Sequence, residues 1–350
     1  MKAKILELLR RKGDYVSGQE LCELNNVSRT AVWKAIKALE KEGYHIEAVR
    51  NRGYRLVEDE DALGDDEAAD IFSKSEISSR LDEAAGVKEV VFLPCIDSTN
   101  SEAARRAENS DGGVLVVSEE QTAGRGRRGR SWNSPAGSNV YFSLMIKPDL
   151  ATDVAPMLTL IMALAVCRGM EKVLSGEAVG TSGRKGASRP EELPMIKWPN
   201  DIVLGGKKCC GMLTEMSCEE DRIKYVVIGV GINVREQDFP DEIKETAVSL
   251  EGACGKKIKR SILVAGIMNE FGPLYESFLE ERDLNFVRKA YFDRLINSGR
   301  KVRVLDPKGE YEGTCRGISE RGELLVEVED GNIVKVNSGE VSVRGVYGYV

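Results

Sequence analysis

The chain has 350 residues, which is enough for two or three domains, and 42% of them are hydrophobic, as is usual for a soluble globular protein. Its longest apolar stretch, residues 157–167, is shorter than the ~18 residues of a membrane span, and no secretory signal is predicted at its start. Eight cysteines without a C-x-x-C spacing indicate reduced thiols, a cytoplasmic protein and no structural metal site, while the one histidine excludes histidine-based catalytic triads from most of the chain.

The net charge of −7 is unevenly distributed. Residues 1–57 carry twelve lysines and arginines against seven acidic residues, a net charge of +5, so the remaining chain carries −12. The basic N-terminal segment (residues 1–57, the head) precedes an acidic remainder that contains the body. This distribution indicates that only the head binds a polyanion.

The head is predicted to contain three helices. Ile5 to Leu9 form the apolar stripe of the first, which ends at Gly13, and Ser17 to Glu20 form a capping box for the second. Ser28 caps a third, longer helix that stops at Gly43. This order is typical of a helix-turn-helix, in which the third helix enters the DNA major groove.

The predicted DNA-contacting residues lie on the third helix and on a hairpin formed by residues 44–57, the wing of a winged helix. They are Ser28, Arg29, Thr30, Trp33, Lys34, Lys37 and Arg52. A small helical domain with a solvated lysine face is the alternative. The acidic segment 58–66 is predicted to be a linker.

The body begins with a strand over residues 88–94 that leads to Asp97-Ser-Thr-Asn100. Thr99 and Glu102 have capping-box spacing, so Ser98, Thr99 and Asn100 should lie where a strand ends and a helix begins. Such a corner binds a polar neutral group or an anion, although an ordinary helix cap looks the same.

The next strand, residues 113–118, leads to Gln121-Thr-Ala-Gly-Arg-Gly-Arg-Arg-Gly-Arg-Ser-Trp132. Arginine grips carboxylate and phosphate oxygens in pairs, and glycine lets a ligand approach the backbone. We expect this segment, the arginine loop (residues 121–132), to be mobile and to close over a phosphorylated or carboxylated small molecule. A solvated surface loop and an arginine-glycine segment for nucleic acid are the alternatives.

The rest of the body is predicted to be α+β. A strand (139–146) and a buried helix (153–174) precede Lys197-Trp-Pro-Asn-Asp201, which lies at a strand end because proline cannot pair centrally. A meander over 202–234 closes on Gly229 and Gly231, where a ligand or backbone should approach closely. Two helices (261–281 and 284–296) follow. Residues 175–194 are predicted to be a mobile insertion. The tail (residues 299–350) is predicted to be a small antiparallel barrel without a set of catalytic residues.

Taken in order, these motifs resemble the biotin–protein ligases. The resemblance rests on Asp97–Asn100, Gln121–Trp132, Lys197–Asp201, Lys208-x-x-Gly-x-Leu-x-Glu215 and Gly229-x-Gly-Ile-Asn-Val234. The winged helix makes the chain similar to the bifunctional subgroup, the biotin-operon repressors. The implied fold is multi-domain α+β: a winged helix-turn-helix (1–57), a linker (58–66), a class II synthetase-like mixed sheet (67–298) and an SH3-like barrel (299–350).

The resemblance implies that biotin and ATP, with Mg²⁺, give biotinyl-5′-AMP, whose biotinyl group passes to a lysine of a carrier protein. Lys197, Arg125 and Arg127 would be catalytic. Two sets of binding residues follow: Ser98, Thr99, Asn100, Gln121, Arg125, Gly126, Arg127 and Lys197 for biotin, and Arg128, Arg130, Trp132 and Asn233 for ATP and the adenylate.

The implied partners are biotin carboxyl carrier protein, operator DNA and a second copy of the chain in a ligand-promoted homodimer, with the adenylate as corepressor. No membrane is expected. Two alternatives stay open: a lipoate–protein ligase-like adenylating enzyme, and a ligand-sensing transcription factor without ligase activity.

Overall fold

The computed structural model describes residues 1–57, 70–176, 192–306, 309–338, 342–345 and 350. The predicted acidic linker (58–66) lies outside these residues, as do positions 177–191 of the predicted insertion.

The head is a winged helix-turn-helix, as predicted. Its helices are α1 (Lys2–Lys12), α2 (Gly18–Asn25) and α3 (Arg29–Lys41), and the wing pairs β1 (Ile46–Val49) with β2 (Gly53–Leu56) in antiparallel register. Ser17 and Ser28 cap α2 and α3 by accepting from the backbone N–H of Glu20 and Ala31. Leucine, isoleucine and valine side chains from the three helices form a hydrophobic core within the head.

The body is built on a seven-stranded mixed sheet with the order β3-β4-β5-β9-β8-β7-β6. Its strands are β3 (Glu89–Leu93), β4 (Val114–Ser118), β5 (Asn139–Ile146), β6 (Met195–Lys197), β7 (Asp201–Leu204), β8 (Lys207–Glu219) and β9 (Arg222–Asn233). Only the β3–β4 pair is parallel. The predicted meander over 202–234 is therefore confirmed.

Helices cover both faces of this sheet. They are α4 (Lys74–Ser78), α5 (Thr99–Arg106), α6 (Ala155–Ser175), α7 (Leu250–Cys254), α8 (Arg260–Glu281) and α9 (Arg288–Arg294). The helix expected over 284–296 is wrong in extent, because residues 285–287 form a 3-10 turn and α9 ends at Arg294.

The buried helix α6 forms the centre of the main core. The segment Thr152–Ser175 is long and apolar enough to cross a membrane, but 83% of its most hydrophobic window is buried inside the protein. It packs on α8, and both helices contribute to the same core as Leu115 and Val117 of β4. Val114 and Val116 point to the opposite face, where α5 packs.

The tail forms a five-stranded antiparallel sheet with the order β13-β12-β11-β10-β14. Its strands are β10 (Lys301–Leu305), β11 (Tyr311–Ile318), β12 (Leu324–Glu327), β13 (Ile333–Val336) and β14 (Ser342–Gly345). The indole N–H of Trp198 donates to the carbonyl of Gly322 at 3.1 Å, which ties the tail to the end of β6.

A buried ion pair joins the head to the body. Arg10 of α1 contacts the carboxylate of Glu76 in α4, and the Tyr44 hydroxyl donates to the same carboxylate at 2.6 Å. Burial opposes the ionisation of Glu76, but Arg10 and Arg80 outweigh it and hold its pKa below the usual value.

Candidate functional site

The corner at the start of α5 is built differently from the predicted capping box. The helix begins at Thr99, whose backbone N–H and hydroxyl both donate to Gln121 Oε1, at 2.9 and 3.1 Å. The side chain of Glu102 pairs with Arg105 and Arg106. The capping-box prediction is wrong, because a side chain from the arginine loop satisfies the first free amide of the helix. Ser98, Thr99 and Asn100 are buried.

Asn100 is held on three sides. Its Oδ1 accepts from the Ser143 hydroxyl at 2.6 Å, and its Nδ2 donates to the Glu215 carboxylate at 2.7 Å and to the Leu213 carbonyl at 3.2 Å. It lies against the backbone of Gly229, where a Cβ would come within 2.8 Å of Asn100 Cγ and closer still to Oδ1. The close approach predicted at Gly229 is therefore made by a side chain.

The arginine loop is a small hairpin in this structure. The Gly126 N–H donates to the Arg130 carbonyl at 2.7 Å, and the Trp132 N–H donates to the Gly124 carbonyl at 2.9 Å. Arg128 takes a left-handed conformation, with φ 58°, at the tip. The backbone of the loop thus has internal partners, and its predicted mobility stays a prediction.

Arg125 and Arg127 leave the hairpin in different directions. Arg125 forms an ion pair with Glu215 at 2.8 Å. Arg127 donates to Asn200 Oδ1 at 2.9 Å and to the carbonyl of Ser338 in the tail. Burial lowers the pKa of Arg127 from its usual value, although the guanidinium of an arginine stays charged in proteins.

Trp132 lies flat on the sheet because two strand residues are glycines. A Cβ on Gly231 would come within 2.6 Å of Trp132 Nε1, and one on Gly211 within 3.0 Å of the ring. The buried Nε1 has no hydrogen-bond acceptor among the residues that the structure describes. The ammonium of Lys208 lies 5.4 Å from the ring centre and 2.7 Å from the Asp201 carboxylate.

These side chains line two neighbouring pockets, with about 470 Å³ and about 1560 Å³ of open space. The smaller contains every predicted biotin residue except Lys197. The larger contains Lys197, which is buried, and all four predicted ATP residues, Arg128, Arg130, Trp132 and Asn233. Five residues line both pockets: Gly126, Arg127, Trp132, Asn200 and Lys208.

The arrangement suits the joining of two bound molecules. The smaller pocket offers hydroxyls and amides that would orient a polar ring, and the larger one offers cations and room for a nucleotide. Cationic side chains stand where the pockets meet, so a bond formed there between two anionic groups would be stabilised electrostatically.

Acidic residues are sparse around the larger pocket. Asp201 and Asp238 line it, and no group of three or more His, Cys, Asp or Glu residues that could hold a metal gathers anywhere in the described part of the chain. Such a pocket fits a magnesium ion held mainly by phosphates and water.

The predicted DNA-contacting residues lie together on the head. Ser28 caps α3, and Arg29, Thr30, Trp33, Lys34 and Lys37 are exposed around its first turns. Trp33 is 52% exposed, unusually much for an indole. Arg52 lies at the tip of the wing, 4.1 Å above the ring of Tyr15.

Several residues of the site have no role that the sequence alone predicts. Lys208, Glu215 and Asn200 belong to motifs that were recognised, but only the fold brings them against the arginine loop. Ser143 and Ser338 carry no local signal, since each meets the site from a distant part of the chain.

Three family descriptions match successive parts of the chain. Residues 2–55 match an HTH domain, residues 92–233 the biotin/lipoate A/B protein ligase family, and residues 298–344 the biotin protein ligase C-terminal domain.

Full-length relatives and a solved structure agree with these matches. The bifunctional ligase/repressor BirA of Bacillus subtilis is 37% identical over 97% of this chain and 98% of its own length, and that of Escherichia coli is 30% identical over 97% and 96%. The biotin protein ligase from Aquifex aeolicus in complex with biotin and ATP is 29% identical, with a TM-score of 0.58 over 74% of this chain and 99% of that structure.

Proposed function

Because this chain belongs to the family of the bifunctional biotin ligase/repressors, we propose that it joins biotin to a lysine of biotin carboxyl carrier protein at the expense of ATP. The same chain represses transcription in response to biotin. Both activities belong to the cytoplasm, where carrier and operator are found.

The ligase proposal rests chiefly on the two pockets that share Arg127 and Lys208 at their boundary. Biotin would occupy the smaller, with its ureido ring against Ser98, Thr99, Asn100 and Gln121. ATP would occupy the larger, beside Arg128, Arg130, Trp132 and Asn233. The carboxylate of biotin and the α-phosphate of ATP then meet at the boundary.

In the first step, a carboxylate oxygen of biotin attacks the α-phosphorus of ATP, which gives biotinyl-5′-AMP and releases pyrophosphate. The step brings several negative charges together, so fixed cations and positioning supply most of the acceleration. Arg125 and Arg127 orient the carboxylate, and Lys197 holds carboxylate and α-phosphate oxygens. Magnesium, held by the phosphates and water, would neutralise phosphate charge when bound.

In the second step, the amine of the carrier's lysine attacks the carbonyl carbon of the adenylate and AMP leaves. The nucleophile belongs to the partner, so this chain needs no serine, cysteine or histidine nucleophile of its own. Arg127 and Lys197 would stabilise the departing phosphate.

Pyrophosphate release in the presence of ATP and either biotin or lipoate tests the ligase proposal. We expect release with biotin and biotinylation of added carrier protein. Release with lipoate alone would identify a lipoate-type enzyme. Biotin binding without release would identify a ligand sensor.

The repressor activity would follow from dimerisation. A dimer whose formation the adenylate promotes would carry two winged helices to a two-fold operator, with Ser28, Arg29, Thr30, Trp33, Lys34 and Lys37 at the major groove and Arg52 on a phosphate. A mobility shift of a palindromic biotin-operon operator should strengthen on addition of biotin plus ATP. An unchanged shift would contradict the corepressor role.

A further inference from the structure

The motif Lys208-x-x-Gly-x-Leu-x-Glu215 ends on an acidic residue that has no part in the proposed mechanism. Alternate residues of a strand share one face, so Gly211, Leu213 and Glu215 of β8 form a row. Gly211 and Leu213 line the smaller pocket, and the ring of Trp132 packs on Gly211. Glu215 therefore lies beside the site, on the strand face that the pocket uses.

One carboxylate oxygen of Glu215 binds two groups of the site. Its Oε2 accepts from Asn100 Nδ2 at 2.7 Å and from Arg125 Nη2 at 2.8 Å. Asn100 is only 5% exposed and belongs to the start of α5, whereas Arg125 belongs to the arginine loop. Both residues line the smaller pocket. A single atom of Glu215 thus joins the helix to the loop.

The Glu215 carboxylate lies next to a pocket that should bind an anion. Its charge opposes the approach of the biotin carboxylate unless a cation offsets it, and Arg125 supplies that cation. The side chain of Arg125 is 47% exposed and that of Glu215 38%, so their ion pair contributes little to the stability of the fold. The contribution of Glu215 is therefore the geometry that it imposes on its two partners.

We propose that Glu215 is a positioning residue for adenylation: it holds Arg125 where the guanidinium orients the biotin carboxylate, and it holds Asn100 in the biotin pocket. The inference rests on the proposed ligase function and adds to it a residue that acts through two others. The hydrogen bonds of Arg125 to Glu215 and to the Ser101 hydroxyl, at 2.8 and 3.4 Å, both use Nη2. A guanidinium has five N–H donors, so others can reach the carboxylate oxygens.

The two contacts of Glu215 differ in kind, so substitutions can separate them. Asn100 donates from a neutral amide, and the side-chain oxygen of a glutamine at position 215 could still accept that bond. The bond from Arg125 joins two opposite charges, and such bonds are about twice as strong as neutral ones. Glutamine therefore weakens mainly the contact with Arg125, whereas alanine removes both contacts.

Biotin-dependent exchange of labelled pyrophosphate into ATP and calorimetric titration with biotin test this proposal on the full-length protein. We expect Glu215→Gln to lower kcat for exchange roughly 10-fold, less than the ~10²-fold cost of misplacing a reacting group by about 1 Å. Its Kd for biotin should stay within about threefold of the wild-type value. Glu215→Ala should slow exchange at least as much and also weaken biotin binding roughly 10-fold, because the buried amide of Asn100 loses an acceptor.

Glu219→Gln is the matched control, because it removes the same charge from an exposed position of the same strand. Its exchange rate and its biotin affinity should equal those of the wild-type protein. A loss of kcat equal to that of Glu215→Gln would overturn the proposal, since it would show an effect of net charge alone.

A double mutant shows whether Glu215 acts through Arg125. If Glu215→Gln slows exchange by releasing Arg125, it should cause no further loss of kcat in a protein that already carries Arg125→Ala. A loss equal to the product of the two single effects would overturn the proposal.

Two other results would overturn it as well: exchange by Glu215→Gln at the wild-type kcat, or glutamine and alanine variants that agree in both kcat and biotin affinity. Thermal melts show whether each variant is folded, and if the alanine variant is not, the glutamine variant and the double mutant decide. Failure of the ligase function itself would look different, because the wild-type protein would then show no biotin-dependent exchange.

Discussion

Replacing Gly229 by alanine should destabilise the folded protein by about 2–3 kcal/mol and weaken biotin binding, because it displaces a side chain of the biotin pocket. The new Cβ would lie 2.8 Å from Asn100 Cγ and closer to Oδ1, so the buried Asn100 side chain must leave its place. It would give up its bonds with Ser143, Glu215 and Leu213, at 2.6, 2.7 and 3.2 Å. At a net value of ~1 kcal/mol for each hydrogen bond, the loss is about 2–3 kcal/mol.

Chemical unfolding measures the loss of stability, and isothermal titration calorimetry with biotin alone measures the weaker binding without catalysis. Gly18→Ala is the matched control, since the nearest atom to a Cβ there is 3.9 Å away on Tyr54. An unchanged affinity in a folded Gly229→Ala protein would mean that Asn100 does not shape the biotin pocket.

Four further changes test other parts of the account. Lys197→Ala should slow pyrophosphate exchange by a factor equivalent to ~3 kcal/mol, and a near-normal rate would remove Lys197 from the mechanism. Arg127→Gly should speed dissociation of the adenylate, measured by stopped-flow fluorescence; unchanged kinetics would contradict its role. Deleting residues 1–57 should abolish operator binding in a mobility shift and leave exchange intact, whereas loss of both would show that the head is needed for ligation. Because the pKa of Glu76 is lowered in the folded state, the stability it contributes is present above its unfolded pKa and is lost as the pH falls through its folded pKa. Thermal melts between about pH 6 and about pH 3 should therefore show a larger loss for the wild-type protein than for Glu76→Gln, and parallel losses would mean that the ion pair is not coupled to folding.

Local patterns predicted the elements that carry the site. Ser17 and Ser28 cap their helices as expected, and Asn139 and Ile146 bound a strand as predicted. These features depend on neighbours in sequence, so the sequence contains the information. The family resemblance is confirmed by full-length relatives.

Contacts between distant segments could not be predicted in this way. The amide at the start of α5 is satisfied by Gln121 instead of a local capping box, and Arg127 is anchored by Ser338, 211 positions away. The tail, expected to carry no catalytic constellation, thus contacts a predicted catalytic arginine. Such pairs form only when the sheet brings their elements together, and no periodicity signals them.

The contacts of Lys208 could not be predicted from the sequence either. Its motif was recognisable, but its partners Asp201 and Trp132 come from a neighbouring strand and from the arginine loop. The register between β7 and β8 determines that they meet. The pairing of strands, rather than the spacing of residues, places this lysine at the boundary.

A crystal structure of the protein grown with biotin and ATP would show where the acyl-phosphate forms. We expect biotinyl-5′-AMP across both pockets, with the ureido ring near Thr99 and Gln121 and the acyl-phosphate beside Arg127 and Lys197. A ligand bound elsewhere, or these two cations directed into solvent, would contradict it.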